Sequence, residues 1–329
     1  MEEPYDVVVV GGSAAGLTAA MYSARQGLKT LVVTKDIGGQ MLLTNEIQNY
    51  PGYESISGFE LSNKLKEQAE LYGAEFVYEE VTGVEEDKEC PGLCFTVRTA
   101  GGKYTGTAVI LAFGKTPRNL GVPGERELNG KGVSYCAVCD GPLFKEKTVT
   151  VVGTGDQALD AVNYLANVVK FVYLVHQYDK PIGSEDYISQ VLKSPNVKTV
   201  PNSRVVELRG DGKLQSVIIE NTLSRQTTEL ESDGIFVEIG YVAKTGIVEQ
   251  LVRLNGREIA VDRVGVTSTP GIFAAGDVTD NSFKQAVISA AQGASAALSA
   301  YNYVQRTRGK TAAKADWRSV KPVIRAGGR

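Results

Sequence analysis

Two stretches of this chain, about 140 residues apart, follow one plan. Each has a β-branched run, a glycine-containing turn, a helix that opens on small residues, and a second β-branched run. The first consists of residues 7–10, then Gly11-Gly12-Ser13-Ala14-Ala15-Gly16, a helical stretch reaching Gln26, and residues 30–34. In the second, residues 149–152 lead into Gly153-Thr154-Gly155-Asp156-Gln157-Ala158, and residues 171–175 supply the returning strand. β-Branched residues favour extended backbone, glycine permits the sharp turn, and the unpaired N–H groups at a helix start attract an anion. Together these are the parts of a βαβ unit that holds the pyrophosphate of a dinucleotide. One such fingerprint is a weak signal, and the first has Ser13 in place of its middle glycine. Two copies in one chain predict two nucleotide-binding-like domains, and 329 residues are enough for both.

The remaining pattern fits an α/β protein. Residues 76–84 and 93–98 read as strands flanking an acidic connection, and 108–112 as a buried strand ending at Gly114. Residues 203–239 alternate like an antiparallel meander, and 283–304 read as a long helix rich in small residues. Thirty-five basic residues against 38 acidic ones give a net charge of −3, which argues against a protein built to neutralise nucleic-acid phosphates. No apolar run has the length of a membrane span. The acidic start, Met1-Glu2-Glu3-Pro4, lacks the basic region of a secretory signal, so a cytoplasmic location is expected. The single histidine, His176, excludes any mechanism that needs two.

Four cysteines are too few for a disulfide scaffold. Cys136-Ala137-Val138-Cys139-Asp140, just before the second glycine-rich turn, has the Cys-x-x-Cys spacing that can cycle between dithiol and disulfide. Cys90 and Cys94 form a second close pair, about 40 residues upstream in a hairpin-like region. Zinc held by all four is disfavoured by that separation, no metal site is expected, and Cys90 and Cys94 read as incidental, with a labile local disulfide between them as the lesser alternative.

With the surrounding segments, Cys136 to Asp140 resembles the low-molecular-weight thioredoxin reductase family of flavoproteins. The matching pieces are Gly11 to Gly16, Gly38-Gly39-Gln40, Asn49-Tyr50-Pro51-Gly52, Ala112-Phe113-Gly114, Asp233-Gly234-Ile235-Phe236 and Gly271 to Val278, in family order. The resemblance implies two Rossmann-like, three-layer ββα domains, the second inserted into the first. An FAD-binding domain would comprise residues 1–116 and 245–305, a nucleotide-like domain 117–244 would carry the cysteine pair, and 306–329 would be a basic tail. It further implies that Gly11, Gly12, Ser13, Ala14, Ala15, Gly16 and Thr34 serve the FAD pyrophosphate and ribose end. Gln40 and Asn49 would touch the flavin half, Gly39, Ala112 and Gly114 would also bind the cofactor, and Gly276 and Asp277 would meet the ribityl chain. Lys284, Gln285 and Ala286 would lie beside the flavin, Lys284 standing where the family favours Arg. Cys139 would be the thiol nearest the flavin, Cys136 the one that attacks thioredoxin, and Asp140 the acid/base. A homodimer is also implied.

Two departures bear on the electron donor. NADPH-dependent members of that family read His-Arg-Arg-x-x-x-Arg after the second unit's returning strand, because a 2′-phosphate needs guanidinium clamps. Here the three arginine positions hold Gln177, Tyr178 and Ile182, and Asp179 adds a negative charge. The tail supplies the other departure: residues 306–329 carry eight basic side chains and one acid, Asp316, leaving the rest of the chain at about −10. The tail also holds the only tryptophan, Trp317; a charged tail of this kind is commonly a solvated appendage, and the alternative expectation is that it folds back so that Trp317 or a neighbouring apolar residue stacks over the flavin where a nicotinamide would otherwise sit. Both departures resemble the pyridine-nucleotide-independent branch, in which ferredoxin supplies electrons. An NAD(P)H-dependent thioredoxin reductase with a degenerate clamp, a small-molecule dithiol oxidase and a nonenzymatic flavin redox sensor stay open as alternatives.

Overall fold

A computed structural model describes residues 3–43, 46–88, 90, 93–311 and 320–322. It divides into two compact units: unit 2 is Thr116–Val242, and unit 1 is the chain on either side of it.

Unit 1 begins with β1 (Tyr5–Val10), α1 (Ala14–Arg25) and β2 (Thr30–Thr34), followed by α2 (Gly58–Leu71), β3 (Glu75–Tyr78), β4 (Val81–Asp87), β5 (Cys94–Thr99) and β6 (Lys103–Leu111). Its sheet runs β3-β2-β1-β6-β5-β4. β1 is parallel to both β2 and β6, while β4, β5 and β6 pair antiparallel. The alternation of β1 explains its fully apolar run. Val7 and Val9 pack with small residues of α1, and Val8 and Val10 pack with Phe95 and Val97 on the opposite face. The stretch read as one strand over 76–84 is two, β3 parallel to β2 and β4 antiparallel to β5.

Unit 2 is entered through β7 (Thr116–Pro117) and contains β8 (Val133–Ser134), α3 (Ala137–Asp140), β9 (Thr148–Gly153), α4 (Asp156–Ala166), β10 (Phe171–Val175), α5 (Glu185–Lys193), β11 (Val197–Val200), β12 (Ser203–Arg209), β13 (Ser216–Asn221), β14 (Thr227–Glu231) and β15 (Gly234–Glu238). Its sheet, β11-β10-β9-β15-β8, is parallel throughout. β12, β13 and β14 form the expected antiparallel meander. The meander stops there: β15 belongs to the parallel sheet, where Ile235, Phe236 and Val237 are buried on both faces. α4 covers one face through Leu159, Val162 and Leu165, and the meander covers the other through Val205, Leu208, Val217 and Ile219. The layers are therefore helix, parallel sheet and antiparallel sheet, as the Rossmann-like expectation requires.

The chain leaves unit 2 by β16 (Tyr241–Val242), paired antiparallel with β7. In unit 1 it adds the small hairpin β17 (Leu254–Asn255) and β18 (Glu258–Ile259), then β19 (Ile272–Ala274), parallel to β6, and α6 (Ala286–Thr307). α6 starts three residues later than expected and continues into the segment read as tail. Arg308, just beyond it, forms an ion pair with Asp6 of β1, so one of the tail's basic residues is engaged in the fold. Trp317 lies outside the described residues.

Candidate functional site

Unit 1 contains a cradle at the carboxyl ends of β1 and β6. Gly11 has φ of +113°, and a Cβ there would stand 2.4 Å from the Ala112 carbonyl oxygen. A Cβ on Gly16 would stand 1.9 Å from the Gly11 carbonyl oxygen. The turn therefore exists only without side chains at these two positions, and Ser13, Ala14 and Ala15 start α1 beside it. Ser13 Oγ donates to the Gly38 carbonyl at 2.6 Å, and Gly38 N–H donates to the Gly12 carbonyl at 2.8 Å. Thr34 Oγ1 donates to the Asp36 carbonyl, and Asp36 Oδ1 accepts from Gly39 N–H at 3.2 Å.

The structure brings distant predicted residues together on this side. Gln40 Nε2 donates to Asp277 Oδ2 at 3.4 Å and to the Lys115 carbonyl at 3.3 Å. Asn49 Nδ2 donates to Gln285 Oε1 at 3.0 Å, across 236 positions of sequence. Gly114 has φ of +62° and follows buried Ala112 at the end of β6. Gly276 packs against Ala15 of α1, and Ala286 begins α6. Lys284 Nζ is held by the carbonyls of Asp277 and Thr279 and pairs with Glu258 at 3.4 Å. The motifs did not single out Ser289, whose Oγ donates to Asp277 Oδ1 at 3.2 Å, or Gln292, whose Oε1 accepts from Gly276 N–H at 2.8 Å. Both face the cradle from α6 as polar breaks in a small-residue helix, a signal visible in sequence only once that helix is placed. A cradle from which Cβ atoms are excluded at Gly11 and Gly16, at the start of a helix with no acid in its first turn, fits the diphosphate of FAD.

In unit 2 Cys136 and Cys139 form a disulfide across the single turn of α3. Cys136 caps that turn: its Sγ accepts the Cys139 N–H at 3.0 Å. Cys139 is exposed and Cys136 half-buried. Buried Ser134 organises the neighbourhood, because its Oγ donates to Asp140 Oδ2 at 2.7 Å and accepts from Cys136 N–H at 3.1 Å. Beneath it, buried Glu125 accepts from the Leu120 and Gly121 N–H groups and from the Tyr135 hydroxyl, each at 2.7 Å. Burial, then the Glu125 carboxylate, pushes the Tyr135 phenol well above its ordinary range. Sequence spacing exposed the cysteines and Asp140 but not Ser134 or Glu125, whose roles depend on β8 lying beside the cysteine turn.

Cys90 and Cys94 form a second, local disulfide where β4 passes into β5, which is the lesser of the two sequence readings. The four cysteines are thus two separate pairs.

The family model described as pyridine nucleotide-disulphide oxidoreductase matches residues 5–293. Thioredoxin reductase of Treponema pallidum is 41% identical over 306 residues, spanning 92% of this chain and 98% of that protein. The crystal structure of Lactococcus lactis thioredoxin reductase superposes with a TM-score of 0.81 at 38% identity, covering 92% of this chain and 99% of that one. A ferredoxin-flavin thioredoxin reductase from Clostridium acetobutylicum superposes with a TM-score of 0.53 at 30% identity, covering 94% and 100%.

Proposed function

Because the chain belongs to the pyridine nucleotide-disulphide oxidoreductase family, among the FAD-containing thioredoxin reductases, we propose that it reduces thioredoxin through Cys136 and Cys139 with ferredoxin, not NADPH, as donor. The observation that carries the donor assignment is the clamp segment, where Gln177, Tyr178 and Ile182 replace the three arginines that the resemblance leads one to expect. Losing such charge-assisted contacts, at about 1.5–3 kcal/mol each, weakens a 2′-phosphate by orders of magnitude. The energetics also allow it: a plant-type ferredoxin near about −400 mV lies roughly 130 mV below thioredoxin, or about 6 kcal/mol for two electrons.

The Gly11 to Gly16 turn and the Gly276-Asp277 corner would hold FAD, which when bound would supply the two electrons needed to open the Cys136–Cys139 disulfide. In the dithiol form, the Cys139 N–H directed at Cys136 Sγ favours a charged sulfur there, which makes Cys136 the nucleophile. Cys136 attacks the thioredoxin disulfide, forming a mixed disulfide and releasing one thioredoxin sulfur. Cys139 then attacks Cys136 Sγ, releasing the second thioredoxin sulfur and restoring the Cys136–Cys139 disulfide. Asp140, oriented by Ser134, moves the proton that each departing sulfur requires. The basic tail gives an acidic iron–sulfur protein a complementary charge. A cytoplasmic homodimer completes the proposal.

The deciding experiment mixes oxidised enzyme anaerobically with NADPH, NADH and photoreduced ferredoxin in parallel. Flavin bleaching by ferredoxin alone is expected, and bleaching by NADPH overturns the donor assignment. Deleting residues 306–329 should change flavin absorbance or fluorescence and weaken ferredoxin binding; no change in any of the three removes the tail from the proposal.

A further inference from the structure

The two glycine-rich turns are copies of one local fold, so each serves as a control for the other. In both units the segment after the second strand returns to the turn and accepts from a side-chain hydroxyl there, Ser13 Oγ to the Gly38 carbonyl in unit 1 and Thr154 Oγ1 to the Ile182 carbonyl in unit 2, and in unit 2 it also takes a backbone N–H of the turn. In unit 1, the returning Gly38 N–H engages a carbonyl of the turn, that of Gly12. In unit 2, the returning segment both accepts from the turn and donates to it. The Ile182 carbonyl accepts from Gly155 N–H at 2.7 Å and from Thr154 Oγ1 at 3.1 Å. Ile182 N–H contacts the same hydroxyl at 2.8 Å, and Ser184 N–H donates to Asp156 Oδ1 at 2.6 Å. Gln157, the next residue of α4, donates through Nε2 to the Tyr241 hydroxyl at 2.8 Å.

Gly155 caps α4 as Ser13 caps α1, so its N–H is among the donors that a pyrophosphate would need. A backbone carbonyl already holds it. The first turn of α4 also carries a carboxylate, Asp156, where α1 has Ala14, and Asp160 follows one turn later. Buried Glu238 adds a third carboxyl at the end of β15, beside Gly153. The fit is close at Gly183, where a Cβ would stand 2.5 Å from Leu159 Cδ1 and 2.9 Å from Asp156 Oδ1. A pyridine dinucleotide does not fit this arrangement, because its diphosphate would meet the Ile182 carbonyl oxygen and the Asp156 carboxylate where it needs N–H groups.

We propose that residues 178–184 are a built-in occupant of the pyrophosphate position in unit 2, and that this backbone plug, beyond the missing arginines, sets the donor class by excluding pyridine dinucleotides. The inference rests on the donor assignment above and gives it a second, separable cause. The side chains of Tyr178 and Ile182 are each 51% exposed, so replacing them leaves the backbone contacts of the plug in place.

Four full-length, FAD-loaded proteins test the plug: the parent, a clamp variant (Gln177→Arg, Tyr178→Arg, Ile182→Arg), an opened variant (Asp156→Ala, Gly183→Ala), and their combination. NADP+ binding is titrated by calorimetry, and NADPH is mixed anaerobically with each to follow flavin bleaching. The combined variant is expected to bind NADP+ at least tenfold more tightly than the clamp variant, with the parent binding no better than the clamp variant. Equal binding by the clamp and combined variants overturns the plug and leaves the donor assignment intact. So does a combined variant that gains nothing while keeping its flavin absorbance and circular dichroism. Bleaching of the parent by NADPH overturns the donor assignment itself.

Discussion

Single side chains divide the two disulfides by role. Cys136→Ser and Cys139→Ser are each expected to abolish thioredoxin reduction while the purified protein stays yellow with FAD; turnover in either excludes the exchange pathway. The double variant Cys90→Ser, Cys94→Ser should keep thioredoxin reduction, since that pair ties the β4–β5 connection of unit 1 to the first residue of β5 and has no assigned part in exchange. Ser134→Ala removes the donor to Asp140 and the acceptor of Cys136 N–H together. It should lower stability by about 1–3 kcal/mol in urea titrations and slow thioredoxin reduction more than flavin reduction. Glu238 gives a pH signature. Burial, with a smaller contribution from Asp160, pushes its carboxyl up to about 8 from 4.5. The folded protein then holds a proton that the unfolded chain releases near 4.5. Stability is therefore full below about 4.5, falls as pH rises toward about 8, and stays low above it. Glu238→Gln should raise the unfolding free energy at pH 9 by up to about 5 kcal/mol, read as a higher melting temperature, and change it little at pH 5.

At the level of elements, the glycine turns were legible in the sequence because their chemistry is local. Gly11 and Gly16 are glycine since a Cβ would strike backbone within a few residues or on the adjoining strand. Gly16→Val should yield protein without FAD absorbance, with the loss read directly from the visible spectrum of the purified variant. β15 was misassigned to the meander because five buried residues alternate no differently in an antiparallel strand than in a parallel one; only its neighbours β9 and β8 decide. The plug was invisible for a related reason. Gln177, Tyr178 and Ile182 announce missing side chains, whereas the Ile182 carbonyl acts through the backbone, which carries no sequence signature. Ser289 and Glu125 were missed because each serves a partner brought near only by the fold.

At the scale of the whole molecule, the two ends of unit 2 lie on one ladder. β7 and β16 pair Thr116 with Val242 and Pro117 with Tyr241, so the chain enters and leaves unit 2 on adjacent strands about 5 Å apart. An insertion whose ends lie side by side is a cassette. Its host chain loses nothing in reach when the cassette is removed, because two or three residues suffice to join Lys115 to Ala243. A chain closed there with a Gly-Ser-Gly linker is expected to fold and retain FAD while losing thioredoxin reduction, as read by absorbance and by activity. Natural or engineered exchange of the stretch between those two residues would then rewire what the flavin talks to, leaving the flavin's own housing untouched.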